Sequence, residues 1–291
     1  MSNESNLAYA FKDFELVGLG ADLIRLSGLM AYCECNNINF YLCKDDVWQN
    51  VPKNATERNW LFYFKETIPL DYNDEFKHVD LNLLENCHNT PIPFNLDIDK
   101  FFYRSELVKK IYIPKDIYIE KVNKYINDNL PFLSDNRYIA VHIRRGDKVS
   151  GPWKEGESIQ MEKYLSIIKL YGKLVNSKDN PFIAFIITDS DQVLSEISNY
   201  INEYKNYGIR FKWDKNEKRR DGYCYKLFKY GYDDNEISDE IFIFMKNMQI
   251  MYNSMEMVGA RMSFLFIVAE LLRGKKALSL ADNKRYPVDF Y

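Results

Sequence analysis

The sequence is poor in the residues that build metal sites and disulfide frameworks. Its 291 residues include only 5 cysteines and 3 histidines, and no cysteine pair has the spacing of a zinc-binding motif. A small, odd number of cysteines is typical of reduced thiols in a cytosolic protein rather than of a disulfide-stabilised secreted one. We therefore expect neither a metal centre nor a disulfide framework.

The sequence also lacks a long hydrophobic run and an excess of charge of either sign. Its N-terminus is polar and acidic, and the longest apolar run, near Phe264–Leu272, is too short to cross a bilayer. The 39 basic and 42 acidic residues give a net charge of −3, which excludes the global positive charge of a non-specific nucleic-acid or membrane-surface binder. We predict a soluble, cytoplasmic protein with no membrane span and no nucleic-acid partner, in which any anion site is local.

Hydrophobic residues are nevertheless plentiful. They make up 46% of the chain, and aromatic residues make up 15%, which is enough for a sizeable core. Near the N-terminus, glycines at Gly18 and Gly20, a helical pattern that reaches Cys33 and a short apolar stretch at Ile38–Leu42 predict a turn, a helix and a strand of an α/β layer. The segment Asn73–Lys100 is rich in Asn, Asp and Pro, and we predict irregular structure there.

The second half of the chain alternates predicted strands and helices, which is the pattern of a parallel sheet with helices on both faces. We place a domain boundary near residues 114–136. The predicted helices are 114–129, one with Ser158 at its N-cap, 193–204 with Gly208 as its C-terminal cap, 239–251 and 263–273; the predicted strands are 138–143, 182–187, 255–259 and 277–281.

A pair of arginines ends the strand predicted at Tyr138–Ile143, where ligands bind in open parallel sheets. Arg144 and Arg145 project to opposite sides if the strand continues through them, so one can face a ligand while the other forms a structural ion pair. A guanidinium stays charged and matches two phosphate oxygens at once. Gly146 permits a tight turn, and Asp147 is placed to hold one arginine. An exposed basic turn with surface ion pairs is the alternative interpretation.

Ser263 stands directly before a predicted apolar helix. Serine is a favoured N-cap, and a helix start presents free N–H groups and a positive dipole end to an anion. Plain helix capping explains this serine equally well when it is considered alone. Because the arginine pair and this helix start both follow strands of one inferred sheet, together they predict a site for a nucleotide diphosphate.

The residues His142 to Val149 read His-Ile-Arg-Arg-Gly-Asp-Lys-Val and resemble the HxRRxD element of GDP-fucose-dependent fucosyltransferases. The resemblance is closest to the α1,6-fucosyltransferases of the nodulation and core type. Further similar elements are Thr188-Asp189, Ser263 with Val268-Ala269 and Glu270, and the N-terminal Gly18–Trp48. It covers most of the chain and is specific around residues 138–165 and 258–271.

The resemblance implies two Rossmann-like domains that face a cleft, the GT-B arrangement. Residues 1–125 would form an N-terminal α/β domain on the acceptor side, and residues 126–291 the domain that binds the GDP-sugar. The implied reaction is an inverting, metal-independent transfer of fucose from GDP-fucose to a hydroxyl of a glycan or glycoconjugate, with no cofactor besides the donor. A nucleotide-binding protein of this fold without turnover and a transferase that uses another GDP-sugar remain alternatives.

The resemblance also implies roles for individual residues. Arg144 stabilises the departing diphosphate, and Glu155, or else Glu157, deprotonates the acceptor hydroxyl. Asn247 occupies the place of an aspartate that reads guanine, so affinity or base choice can differ. The predicted donor-binding residues are His142, Arg144, Arg145, Asp147, Lys148, Asp189, Asn247, Arg261 and Ser263, and the predicted acceptor-binding residues are Trp153 and Tyr164.

Two further patterns permit several interpretations. Asp189-Ser190-Asp191 spells the metal–nucleotide signature of a different glycosyltransferase fold, but the same residues suit a helix start, and we favour capping over a manganese site. Lys212–Tyr232 interleaves bases and aromatic rings, as binders of single-stranded nucleic acid do. Because neighbouring acidic residues dilute its charge, we favour an acceptor-facing or structural loop.

Overall fold

The computed structural model describes residues 7–11, 19–42, 48, 51–57, 59–69, 77–78, 98–135, 137–149, 158–219, 233–260 and 263–280. The chain divides into two compact units. One comprises Met1–Ile119, Tyr225–Ile241 and Val288–Tyr291, and the other comprises Glu120–Cys224 and Phe242–Pro287. The boundary at residue 125 and the assignment of an acceptor side and a donor side remain predictions.

The first unit contains a small parallel sheet. Strand β1 (Leu7–Phe11) pairs with β2 (Asn39–Leu42) on one side and β3 (Lys77–His78) on the other. Helix α1 (Leu19–Cys35) links β1 to β2 and is buried almost all round, as its apolar composition requires. The predicted helix and strand of this α/β layer are confirmed, whereas Gly18 lies outside the described residues.

Helix α2 (Ile98–Ile111) packs against α1 and was not expected from the sequence. The irregular structure predicted for Asn73–Lys100 is therefore wrong at Lys77–His78, which form β3, and from Ile98, where α2 begins; the rest of that range lies outside the described residues. A buried arginine of α2 joins the two helices, because Arg104 donates to the carbonyl of Ile24 at 3.0 Å and to the Ser27 hydroxyl at 2.9 Å.

Helix α3 (Asp116–Asn129) follows a short connection. It begins two residues later than predicted, because Pro114 forms an antiparallel bridge with Phe64 instead of opening the helix. Its end agrees with the predicted stop before Pro131, whose ring cannot continue a helix.

The second unit contains a five-stranded, fully parallel sheet. Its strands are β4 (Tyr138–Ile143), β5 (Phe182–Thr188), β6 (Ile209–Trp213), β7 (Glu256–Ala260) and β8 (Leu278–Leu280). Their order is β6-β5-β4-β7-β8, so the chain moves outward from β4 to β6 and then crosses to β7. This order places the topological switch point between β4 and β7. The predicted parallel α/β sheet is thereby confirmed.

Strand β6 was missed by the sequence analysis. Its Ile209 and Phe211 are buried, whereas Arg210 and Lys212 are exposed. A five-residue edge strand of this kind carries charged residues on its outer face. The strand was missed because these charged residues precede and overlap the basic and aromatic pattern that begins at Lys212.

The helices that follow along the chain are α4 (Gly146–Val149), α5 (Met161–Leu174), α6 (Asp191–Ser198), α7 (Ile201–Lys205), α8 (Asp234–Asn253) and α9 (Phe264–Arg273). All lie in the second unit except the part of α8 up to Ile241, which belongs to the first. The N-cap predicted at Ser158 is wrong, because Gln160 precedes the first turn of α5. The single helix predicted at 193–204 is two, since the first ends at Ser198 and has its C-cap at Asn199.

Two local devices explain where these helices begin and end. Asp233 accepts from the N–H of Glu236, whose carboxylate accepts from Asp233 N–H in return; this capping box starts α8 five residues earlier than predicted. Gly208 has a φ of 73° and follows α7, and a Cβ there would lie 1.8 Å from the carbonyl oxygen of Ser177. Only glycine fits this turn.

Candidate functional site

The carboxyl ends of β4 and β7 lie side by side at the switch point of the sheet. Their register pairs His142 with Gly259, so the chain that leaves β4 at Arg144 and the chain that leaves β7 toward Ser263 start from neighbouring positions. The N–H of Ser263 donates to the Ala260 carbonyl at 3.2 Å, so the arginine pair and the start of α9 lie at the same edge of the sheet. Ligands of doubly wound proteins bind in the crevice at this point of the sheet.

Arg144 is held by a carboxylate from the next strand. Its Nη1 lies 2.9 Å from Oδ2 of Asp189, and the two side chains keep 17% and 13% of their surface exposed. Asp189 follows β5, which pairs with β4 in register through Ile143 and Thr188. A partly exposed guanidinium in a fixed position at a strand end is suited to bind a phosphate. Asp147 was predicted to hold one arginine, and its side chain lies outside the described part of the chain.

Arg145 follows Arg144 beyond the end of β4, so alternation along the strand does not fix its direction, and its guanidinium makes contacts of its own. Its guanidinium donates to the carbonyl of Ile159 at 2.7 Å and lies 3.5 Å from the carboxylate of Glu196. Its backbone N–H donates to Oδ1 of Asp189 at 2.9 Å. These contacts make Arg145 the structural member of the pair, and they do not support its predicted contact with the donor.

Ser263 is the N-cap residue of α9, yet its side chain makes no capping hydrogen bond. Its carbonyl accepts from the N–H of Ile267 at 3.1 Å, so the helix begins in the ordinary way. The first N–H groups of a helix have no partner within the helix. Without a side-chain cap, these donors and the positive end of the helix dipole at this edge of the sheet are suited to an anion.

His142, the residue before the last of β4, is buried and neutral. It is 4% exposed and stacks on Phe266 of α9, with ring centroids 6.2 Å apart. Burial, together with the charge of Arg144, lowers the pKa of His142 to about 3. Its Nδ1 is buried and has no hydrogen-bond partner among the described residues. A buried, unpaired imidazole nitrogen is unfavourable unless a ligand completes it.

Gly259 permits the close packing of the two rings against the sheet. A Cβ on Gly259 would lie 2.5 Å from the ring of Phe266, so a larger residue would displace that ring from His142. Glycine at position 259 is therefore needed for close packing between β7 and α9.

The neutral state of His142 predicts a specific sensitivity to acid. In the unfolded chain the imidazole has its ordinary pKa of 6.5. Between pH 6.5 and pH 3 the unfolded state therefore binds a proton that the folded state does not. As the pH is lowered through this range, the free energy of unfolding decreases. Between pH 7 and pH 4, the free energy of unfolding of the wild type should fall by roughly 3 kcal/mol more than that of His142→Gln. Urea unfolding at both pH values measures this difference, and equal losses in the two proteins would contradict it.

The other predicted site residues lie in different surroundings. Asn247 is 4% exposed, and its amide oxygen is buried with no partner among the described residues; a ligand donor would satisfy it. Tyr164 is 1% exposed within the core formed by β4, β5 and α5, and this burial favours a core role over the predicted acceptor contact.

Several predicted residues are not described by the structure. Trp153, Glu155, Glu157 and Arg261 lie outside the described ranges, as does the side chain of Lys148. Their roles remain predictions.

The Asp189-Ser190-Asp191 sequence does not act as a side-chain cap. Ser190 is the N-cap of α6 without a capping hydrogen bond, Asp189 binds the two arginines, and Asp191 lies in the first turn. The predicted position of these residues at a helix start is confirmed for Ser190 and Asp191, and the helix begins two residues earlier than predicted, without a side-chain capping hydrogen bond from Ser190. Within the described ranges, no three His, Cys, Asp or Glu side chains are grouped as metal ligands.

A buried ion cluster at the end of β6 escaped the sequence analysis. Lys246 of α8, 1% exposed, binds the carboxylates of Asp214 and Glu217. Tyr125 of α3 donates to Asp214 at 3.0 Å, and Arg219 donates to the backbone carbonyl of Asp214 at 2.7 Å. The sequence feature that could have indicated this cluster is the lone lysine within the apolar part of α8. A lysine at a buried helix position requires partners of opposite charge.

Among the described residues, no helix has both the length and the apolar character needed to span a membrane.

Comparison with known proteins gives matches in structure and none in sequence. No protein-family model and no curated protein matches the chain. The structure of POFUT1 in complex with GDP-fucose matches with a TM-score of 0.50 and 12% identity over 96% of this chain and 97% of that one. A POFUT1 complex with GDP matches with a TM-score of 0.53 and 12% identity over 96% and 100%.

A variant of Arabidopsis thaliana FUT1 in complex with GDP matches with a TM-score of 0.52 and 10% identity, over 95% of this chain and 70% of that one. The extent of these structural matches shows a shared fold, and identities this low show no more than that. The chain therefore has the Rossmann-like α/β fold of these fucosyltransferases.

Proposed function

We propose that the chain is an inverting, metal-independent glycosyltransferase that transfers fucose from GDP-fucose to a hydroxyl of a glycan or glycoconjugate. The observation that carries this proposal is that Arg144, held by Asp189, and the start of α9 follow neighbouring strands at the switch point of the sheet. The fold shared with POFUT1, whose structure was solved with GDP-fucose, supports the same donor. The segment from His142 to Val149 favours the α1,6 group of these enzymes.

The chemistry follows from where charge develops. As the bond between the sugar and the diphosphate breaks, negative charge builds on the departing phosphate oxygen. Arg144 and the first N–H groups of α9 are fixed beforehand and stabilise this charge more strongly in the transition state than in the ground state. Because fixed cationic and dipolar groups supply this stabilisation, the proposal requires no metal ion.

The acceptor hydroxyl must lose a proton as its oxygen attacks the anomeric carbon. A carboxylate on the side of the sugar opposite to the diphosphate takes this proton, and we assign this role to Glu155, with Glu157 as the second candidate. Attack opposite to the leaving group inverts the configuration of the sugar. His142 and Asn247 each have a buried polar side-chain atom with no hydrogen-bond partner in the described part of the chain, and they are the proposed contacts of the nucleotide.

The experiment is a donor screen of the purified protein. We expect GDP release from GDP-fucose, faster with a glycan acceptor than with water alone, and little release from GDP-mannose or UDP-glucose. EDTA should leave the rate unchanged. Loss of activity in EDTA that Mn²⁺ restores would overturn metal independence, and a preference for a UDP-sugar would overturn the donor assignment.

The same screen separates an enzyme from a binding protein. Alanine at Glu155 and at Glu157 should leave the Kd for GDP unchanged while one of the two variants loses transfer. GDP binding by the wild type without release of GDP from any donor would instead identify a nucleotide-binding protein of this fold.

A further inference from the structure

A cavity of about 270 Å³ opens at the amino end of the five-stranded sheet. Its described lining comes from α3, the turn at Pro131–Leu133, the start of β4 and the end of α8, all within the second unit. Tyr138, the first residue of β4, lines the cavity, whereas Arg144 follows the last residue of that strand. The six residues of β4, at roughly 3.3 Å each, separate the two ends of the strand by about 20 Å. The cavity is therefore distinct from the candidate site.

Side-chain amides supply most of the polar lining. Asn123 and Asn127 lie one turn apart on α3, Asn253 lies at the end of α8, and Ser134 adds a hydroxyl. The structure gives none of these three amides a hydrogen bond to another described residue, and all three residues are exposed. Their donors and acceptors are therefore available to a ligand.

The rest of the lining is apolar and uncharged. Ile126 and Leu130 belong to the same face of α3 as the two asparagines, and Ile250 lies opposite them on α8. The Tyr138 hydroxyl donates to the carbonyl of Ile250 at 2.7 Å, so it is already paired. No Asp, Glu, Lys, Arg or His belongs to the described lining. Without an opposite charge, the cavity does not compensate a phosphate, a carboxylate or an ammonium group.

We propose that this cavity is a second saccharide site, which binds one neutral sugar unit of a glycan without reacting with it. A sugar hydroxyl both donates and accepts hydrogen bonds, and an asparagine amide offers a donor and an acceptor in return. The apolar side chains contact the C–H groups of the ring. The volume lies just below the roughly 300–1,000 Å³ of sites for drug-sized ligands, which limits the occupant to about one ring.

A peptide fits the cavity less well than a sugar. An extended peptide commonly binds by adding a strand to the open edge of a sheet. β4 has no open edge, because it is paired with β5 on one side and with β7 on the other. The amides of the lining are side-chain groups on two helices, and they suit the hydroxyls around a ring.

The test is an NMR titration of the isotope-labelled protein, in which side-chain amides of asparagine give their own signals. The probes are methyl α-L-fucoside, methyl β-D-glucoside and methyl N-acetyl-β-D-glucosaminide, with glycerol and N-acetylglycinamide as the polyol and peptide controls. We expect a glycoside to shift the signals of Asn123, Asn127 and Asn253 and to bind more tightly than either control. Saturating GDP should leave its Kd unchanged, because the candidate site lies at the other end of β4.

Variants at exposed positions test the cavity without disturbing the core. Asn127→Leu should raise the Kd of that glycoside by about 2–10-fold, the range for the loss of one neutral hydrogen bond. Asn127→Trp fills the cavity and should abolish binding. Asn202→Leu, at an exposed position of α7 outside the cavity, is the matched control and should leave the Kd unchanged.

Three results would overturn the inference: shifts confined to residues at the carboxyl end of β4, equal responses to a glycoside and to either control compound, or an unchanged Kd in Asn127→Trp. Failure of the proposed function would appear separately. A wild type that releases GDP from no donor sugar contradicts the transferase, and glycoside shifts at the three asparagines would still support the second site.

Discussion

Arg144→Met should lower kcat for transfer from GDP-fucose by about 10²–10³-fold, which corresponds to about 2.7–4 kcal/mol of lost transition-state stabilisation for one fixed donor. The effect is large because Arg144 is held at the switch point by Asp189 and costs no reorganisation when charge develops on the diphosphate. GDP should also bind more weakly, since the charge of its phosphates loses one cationic partner. Initial rates over a range of donor concentrations and titration calorimetry with GDP measure the two effects.

Asp189→Asn provides a matched comparison for Arg144. It keeps the shape of the side chain, removes the negative charge that orients the guanidinium and leaves Arg144 in the protein. We expect kcat to fall by less than in Arg144→Met, with the circular dichroism spectrum unchanged. Wild-type turnover by Arg144→Met would show that the diphosphate is bound elsewhere.

Lys246→Met should destabilise the protein by about 3–5 kcal/mol, because removing one partner of a buried ion pair leaves uncompensated charge in the interior. Two carboxylates, Asp214 and Glu217, face this lysine, and the exposed fractions of the three side chains are 1%, 2% and 7%. Burial acts to raise the pKa of Asp214, but the hydrogen bond and charge of Lys246 outweigh it and the pKa is lowered. The free energy of unfolding in urea is the measurement.

Neutral partners distinguish a charge effect from a packing effect in this cluster. The triple variant with Lys246→Met, Asp214→Asn and Glu217→Gln carries no buried charge at these positions and should recover part of the lost stability. Lys163→Met, at an exposed position of α5, should change the stability by less than about 0.5 kcal/mol. A loss below 1 kcal/mol in Lys246→Met, or no recovery in the triple variant, would contradict the interpretation.

The sequence was most informative where burial is uniform. β4 is buried along its whole length, and central parallel strands of this kind read as continuous apolar runs. The edge strand β6 alternates instead, and its exposed Arg210 and Lys212 hid the two buried residues. Helix α8 was predicted too short because its start depends on the hydrogen bonds between Asp233 and Glu236, which a hydrophobic pattern does not show.

The sequence also identified the arginine pair but not the partners of its members. The strand end and the guanidinium chemistry pointed to a phosphate site at Arg144, and these are local properties. The partner of Arg144, Asp189, comes directly after the next strand and is 44 residues from Arg145 along the chain. Ile159 and Glu196 join Arg145 only because β4, α5 and α6 pack together. Contacts between distant residues depend on tertiary packing, which one sequence does not reveal.

A crystal structure of the protein with GDP would locate the diphosphate. We expect the β-phosphate within hydrogen-bonding distance of the Arg144 guanidinium and of the first N–H groups of α9 next to Ser263, with the Arg145 guanidinium still on Ile159 and Glu196. A diphosphate bound away from the carboxyl ends of β4 and β7, or bound by Arg145 in place of Arg144, would contradict it.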